Sequence, residues 1–236
     1  MKKMLAFFTA AICCLGMLTA CGNSESSNNS DSQASDKAAT SSAASESEEP
    51  ARENSGDEYT EVFRTFFIGK DPIQMLEVSL PDAVIESMEK IGAVESISEA
   101  LATSAAQSMS AVPVMDAGMI EYVSERECTP EFRSRLENLY SAYYNIYRTM
   151  DESGISYEEY ITGNLDENDM KLLSDVLDRY ERVCAGEETE AEQLISFEDV
   201  RLVTFSMNGG QTEFLMYKVS GEGWKLDTIG LAVFEY

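Results

Sequence analysis

Residues 196–233 read SFEDVRLVTFSMNGGQTEFLMYKVSGEGWKLDTIGLAV, and this stretch decides the fold class. Residues 196–207 and 212–219 are rich in Val, Thr, Phe and Tyr, which favour a pleated, half-buried backbone. Between them Asn208-Gly209-Gly210 supplies the residues that tolerate the positive φ of a tight hairpin. A second glycine-rich turn leads into a third extended run over residues 224–233, so the C-terminus is predicted to be an antiparallel meander.

Upstream of this stretch the apolar period changes to that of a helix. From about Asn168, the residues Met170, Leu173, Val176, Leu177, Tyr180, Val183 and Cys184 share one stripe. Thr129 as N-cap and Pro130 in the first turn open a longer helix, whose stripe is Phe132, Leu136, Leu139, Tyr140, Tyr143 and Tyr147. Residues 119–127 alternate well enough for a strand. Residues 93–110 read as an Ala- and Ser-rich helix ended by Pro113. Pro81 starts a helix with Val84, Ile85, Met88 and Ile91 inward, and Asp71-Pro72 starts a short one toward Leu80. The first helix has capping-box spacing at Ser55 and Glu58, followed by Tyr59, Val62, Phe63, Phe66 and Phe67 on one face, with Gly69 at its end. Helices first and an antiparallel sheet last make the class α+β.

The N-terminus is not part of that domain. Lys2 and Lys3 precede an apolar stretch over residues 4–18, long enough for a secretory signal and too short to span a bilayer well. Leu18-Thr19-Ala20-Cys21 follows and resembles the bacterial lipobox. The resemblance implies cleavage before Cys21 and a covalent diacylglycerol on its thiol. Each buried methylene contributes about 0.8 kcal/mol, so two acyl chains would hold the chain on a membrane. Residues 22–56 contain eleven serines and no Val, Ile, Leu, Met or aromatic side chain, so they have too little apolar surface to offset ordering entropy. A flexible coil of that length has an end-to-end distance of roughly 30 Å. The expected organisation is therefore a signal over residues 1–20, a lipidated tether over 21–56 and one α+β domain over 57–236.

Composition narrows the function classes. The formal charge is −26, and it becomes −28 once Lys2 and Lys3 are removed with the signal. That field disfavours nucleic acid and anionic head groups. The chain has no histidine, which weighs against histidine triads, zinc hydrolase sites and a histidine general base. Two cysteines besides Cys21 survive processing, Cys128 and Cys184. Outside the cytoplasm they either pair as a disulfide or stand as free thiols.

Helices followed by a meander ending in Gly223-Trp224-Lys225-Leu226-Asp227 resemble small lipoproteins with a nuclear-transport-factor-two-like, cystatin-like cone. Phe66-Phe67-Ile68-Gly69-Lys70-Asp71 and the short helix up to Pro81 resemble the same group. The likeness implies a curved sheet wrapped around a long helix, leaving a cone that is either open or filled. Some cone-shaped proteins, such as ketosteroid isomerases, pair a carboxylate with a phenol in an apolar pocket, but no Asp and Tyr of this sequence are marked as such a pair.

Two stretches carry further candidate chemistry. Asn164, Asp166 and Asn168 imitate the alternating oxygen ligands of a calcium loop, although Asp169 stands where the sharp-turn glycine belongs. A helix N-terminus explains the same residues through capping and the dipole, and is favoured. Tyr140, Tyr143, Tyr144 and Tyr147 are candidates for a stacking platform for a sugar or stem peptide. Three of them, Tyr140, Tyr143 and Tyr147, fall on a stripe that the helix must bury, so Tyr144, off the stripe, is the first ligand-binding candidate and Tyr147 the second. No glycine-rich phosphate loop precedes a helix. The reading is thus a non-catalytic binding or interaction module on the outer face of the cell membrane, or of an outer membrane. It needs no cofactor beyond its lipid, and its partner is an envelope protein or wall component. The alternative is a small-ligand carrier or enzyme that uses a cone interior.

Overall fold

The computed structural model describes residues 55–69, 71–109, 120–188, 192–207 and 210–230. Cys21, the signal and the tether through residue 54 lie outside the described residues, as do Pro113, the turn pair Asn208-Gly209 and residues 231–236.

Strand β2 (Phe197–Met207) organises the rest because its neighbouring side chains bury toward opposite sides. It pairs antiparallel with β3 (Gly210–Val219), which sets Val200 opposite Tyr217, Leu202 opposite Leu215 and Val203 opposite Phe214. All six are at most 4% exposed. A strand with period two that is apolar at both parities must be covered on both faces. A short β4 (Trp224–Leu226) pairs with β3, while β1 (Ile120–Glu127) pairs with β2. The sheet is antiparallel with order β1-β2-β3-β4, a meander in which three helices interrupt the step from β1 to β2. A register shift between Phe197 and Asp199 adds the odd residue that brings Phe197 onto the side of Val200 and Leu202.

One face is covered by α1 (Ser55–Phe67), which begins two residues ahead of the boundary read at Asp57. Its stripe buries Tyr59, Phe63 and Phe66 against Val203, Phe205, Phe214, Met216 and Leu226. The Phe63 ring lies 4.6 Å from that of Phe205 and 4.8 Å from that of Phe214, within the range of favourable aromatic pairing.

The other face meets α5 (Pro130–Ser153), opened as expected by Thr129, whose hydroxyl accepts from the Phe132 amide at 3.2 Å. Leu136, Leu139, Tyr140 and Tyr147 of α5 bury among Leu202, Leu215 and Tyr217, and α7 (Glu167–Cys184) packs along α5. Helices α2 (Pro72–Glu77), α3 (Asp82–Lys90) and α4 (Val94–Met109) complete this layer. The domain therefore has two apolar layers separated by its sheet.

Two local differences from the sequence reading have simple causes. A short helix, α6 (Tyr157–Thr162), follows α5 and was not anticipated. Its six residues are too few to show a helical period, but Ser156 and Glu159 form a reciprocal capping box, amide to side chain at 3.2 and 3.0 Å. The third run was expected to stay extended to residue 233, yet β4 ends at Leu226 because Asp227 turns the chain. The Asp227 carboxylate accepts from the amides of Ile229 and Gly230, at 3.2 and 2.8 Å. Gly230 then passes so close to α5 that a Cβ there would lie 2.5 Å from the Leu136 side chain.

Candidate functional site

The turn after β4 brings a carboxylate and a phenol together. Asp227 is 1% exposed, and its Oδ1 accepts from the Tyr140 hydroxyl at 2.7 Å in addition to the two turn amides. Beside them the Tyr217 hydroxyl donates to the Ser79 carbonyl at 2.9 Å, with its ring 4.8 Å from that of Tyr140. Burial, with the Asp227 charge adding to it, pushes the Tyr140 phenol well above its usual value, so it stays a neutral donor. This is the Asp–Tyr pairing left unmarked in the sequence. One oxygen with three donors, sealed in the core, makes a clamp between α5 and the turn, with that lone-pair capacity already filled by the fold.

A second buried carboxylate is held in the same way. Glu137 of α5 accepts from the Phe197 amide at 2.8 Å, the Gln193 amide group at 3.2 Å and the Arg133 guanidinium at 3.3 Å. One turn on, the Ser141 hydroxyl accepts from the amides of Leu194 and Ile195 at 3.0 and 2.9 Å. These two side chains dock the approach to β2 onto the helix. Lys225 pins the opposite corner through the Glu77 carbonyl and Asp82, each at 2.8 Å, and Glu222 at 3.2 Å.

Where β1, β2 and α1 meet, Arg201 pairs with Asp199 at 2.8 Å and Glu127 at 3.0 Å. Burial, then the bond to Glu125, raises the nearby Tyr59 phenol.

A partly open cavity lies elsewhere. It measures about 110 Å³ and sits between α2, α4, α5, α6 and the turn after β4, walled by Leu76, Leu80, Ile97, Leu101 and Ile229. Tyr143 and Tyr157 also line it. The Tyr147 hydroxyl donates to that of Tyr143 at 3.0 Å, and burial pushes the Tyr143 phenol up to about 12.

The residues singled out from the sequence fall as follows. Tyr147 is 2% exposed, so it belongs to the core and not to a surface platform. Tyr144, expected off the stripe, is half-buried and packs against the same core, because α6 and α7 widen the part of α5 that is covered. Asp166 is the N-cap of α7, its carboxylate accepting from the amides of Asn168 at 2.8 Å and Asp169 at 2.9 Å. The Asn164 amide donates to the Glu159 carbonyl at 2.9 Å and closes α6. The three residues thus serve two helix ends, and no group of three or more Asp, Glu, Cys or His among the described residues is placed to hold a metal. Cys128 and Cys184 are free thiols, so the disulfide left open by the sequence is not formed. Cys128 follows β1 and Cys184 ends α7, and each is packed against the helical layer. Burial pushes the Cys128 thiol up to about 11 and raises that of Cys184 as well. No helix among the described residues is long and apolar enough to cross a membrane.

Comparison of the chain with protein-family models, curated proteins and solved structures returned no match.

Proposed function

We propose that the protein is an exported lipoprotein, anchored by a diacylglycerol on Cys21 to the outer face of a membrane, whose α+β domain is a non-catalytic binding module for an envelope component. The observation that carries this reading is the N-terminal order of two lysines, a short apolar stretch and Leu18-Thr19-Ala20-Cys21, followed by a serine-rich tether. A binding role is supported over catalysis by the use made of the buried carboxylates among the described residues. Asp227 and Glu137 accept bonds from turn or strand amides and from neighbouring side chains. β1 supports an interaction role, since it forms the outer strand of the sheet and exposes Tyr122 and Val123. Its shift in register near Val123 and its charges are the usual guards against indiscriminate strand pairing.

The finer fold proposal is the nuclear-transport-factor-two-like cone. It is supported by a long helix, α5, lying against a face of a meander, and α1 on the opposite face would be an addition to it.

The test of the anchor is Cys21→Ser with membrane fractionation. The variant should persist uncleaved or leave the membrane fraction. A mature, membrane-bound protein unchanged by the substitution contradicts it.

A further inference from the structure

We propose that the cavity between α2, α4, α5 and α6 is a binding site for one small uncharged molecule, a single ring or compact branched skeleton carrying one hydrogen-bond acceptor such as a ketone oxygen. Size sets the scale, that of a single small ring. The cavity measures about 110 Å³, and a dry engineered cavity of about 150 Å³ lined by Leu, Ile and Phe takes up benzene. The space is several times what one water needs, yet its walls are aliphatic side chains from α2, α4 and the turn after β4. Water requires two to four polar partners, and those in the lining are confined to the hydroxyl residues Ser79, Thr228, Tyr143 and Tyr157, so water held against the aliphatic wall is under-satisfied and readily exchanged for carbon.

Charge is excluded by the lining. Apart from aliphatic side chains it presents Ser79, Thr228, Tyr143 and Tyr157, none of them charged near neutral pH, and an unpaired ion there would lose its hydration without replacement.

The polar feature of the ligand follows from counting hydroxyl hydrogens. Tyr147 and Tyr143 share one bond, in which Tyr147 donates. The Tyr143 hydrogen remains, and it has no acceptor among the described residues. At Ser79, beside it in the lining, the hydroxyl donates to the Leu76 carbonyl and the carbonyl accepts from Tyr217, and neither is bonded to Tyr143. A donor left over at the wall of an apolar cavity selects an occupant with an acceptor at one end and hydrocarbon over the rest. The assignment is independent of the lipid anchor.

The experiment is a titration of the purified full chain with cyclohexanone and, in parallel, with cyclohexane, following methyl resonances of Leu80, Ile97, Leu101 and Ile229. Both probes should shift these four residues, with cyclohexanone binding about fivefold tighter, the net worth of one hydrogen bond. Tyr143→Phe should bring cyclohexanone down to the affinity of cyclohexane and leave cyclohexane unchanged. Ala100→Leu, which fills the space, should abolish both. The proposal is overturned if neither probe moves these methyls, or if the two probes bind the wild-type chain equally. The wild-type comparison decides the matter even if a variant fails to fold.

Discussion

Replacing Asp227 with alanine should be among the most damaging single changes in the domain. The side chain is 1% exposed, and its Oδ1 takes the Tyr140 hydroxyl at 2.7 Å and the Gly230 and Ile229 amides at 2.8 and 3.2 Å. Alanine leaves the Tyr140 hydroxyl in the core without this acceptor, at about 1–3 kcal/mol, and also loses the charge-assisted bonds that fix the turn. The expected total is about 3–5 kcal/mol, near the upper end for point mutants. Tyr140→Phe removes only the donor and should cost about 1.5–3 kcal/mol, the worth of a bond to a charged group. The two changes share one bond, so the double variant should be less destabilised than the sum by about 1–2 kcal/mol. Urea unfolding reads each value directly, and with a slope of about 2 kcal/mol/M the Asp227→Ala midpoint should fall by roughly 1.5–2.5 M. If Asp227→Ala unfolds within about 0.5 kcal/mol of wild type, the clamp is not structural. The case for a carboxylate occupied by the fold then fails.

Phe63→Ala, at a fully buried ring between α1 and the sheet, should cost about 3–5 kcal/mol in the same assay; a small effect would mean that α1 does not seal that face. The hydroxyl and amide of Ser156 hold the Glu159 carboxyl below the usual glutamate range. Since the folded value is depressed, the capping contribution is present above the unfolded pKa of about 4.3 and is lost as pH falls through the folded one. An NMR titration should therefore show Ser156 and Glu159 moving together below that value, and a Glu159 titration at or above it contradicts the capping box. Alkylation after denaturation without reductant should label both Cys128 and Cys184. In the native protein at neutral pH, burial should keep both thiols slow to react. A resistant pair in the denatured protein would show a disulfide.

The parts of the fold legible in the sequence were those with local causes. The α1 stripe from Tyr59 to Phe67 and the Thr129-Pro130 opening of α5 follow from spacing and caps, and so does the Asp71-Pro72 start of α2. The Asp166 cap was separable from a calcium loop because the turn glycine was missing. What stayed hidden depends on contacts distant in sequence. Leu202 and Val203 are adjacent, and nothing local says that each belongs to a different apolar layer. Asp227 is one of 43 acids, and its burial beside Tyr140 depends on a contact spanning 87 positions. The cavity is assembled from short pieces of several elements, none with a pattern of its own. Only α6 was missed despite a local signal, the Ser156 and Glu159 spacing.

The central claim, that this is a domain tethered by lipid at Cys21, is tested most directly by the mass of the N-terminal peptide of the protein isolated from membranes. The peptide should begin at Cys21 and carry a diacylglycerol, with residues 1–20 absent. A mature protein that begins elsewhere, or a Cys21 that carries no lipid, contradicts it.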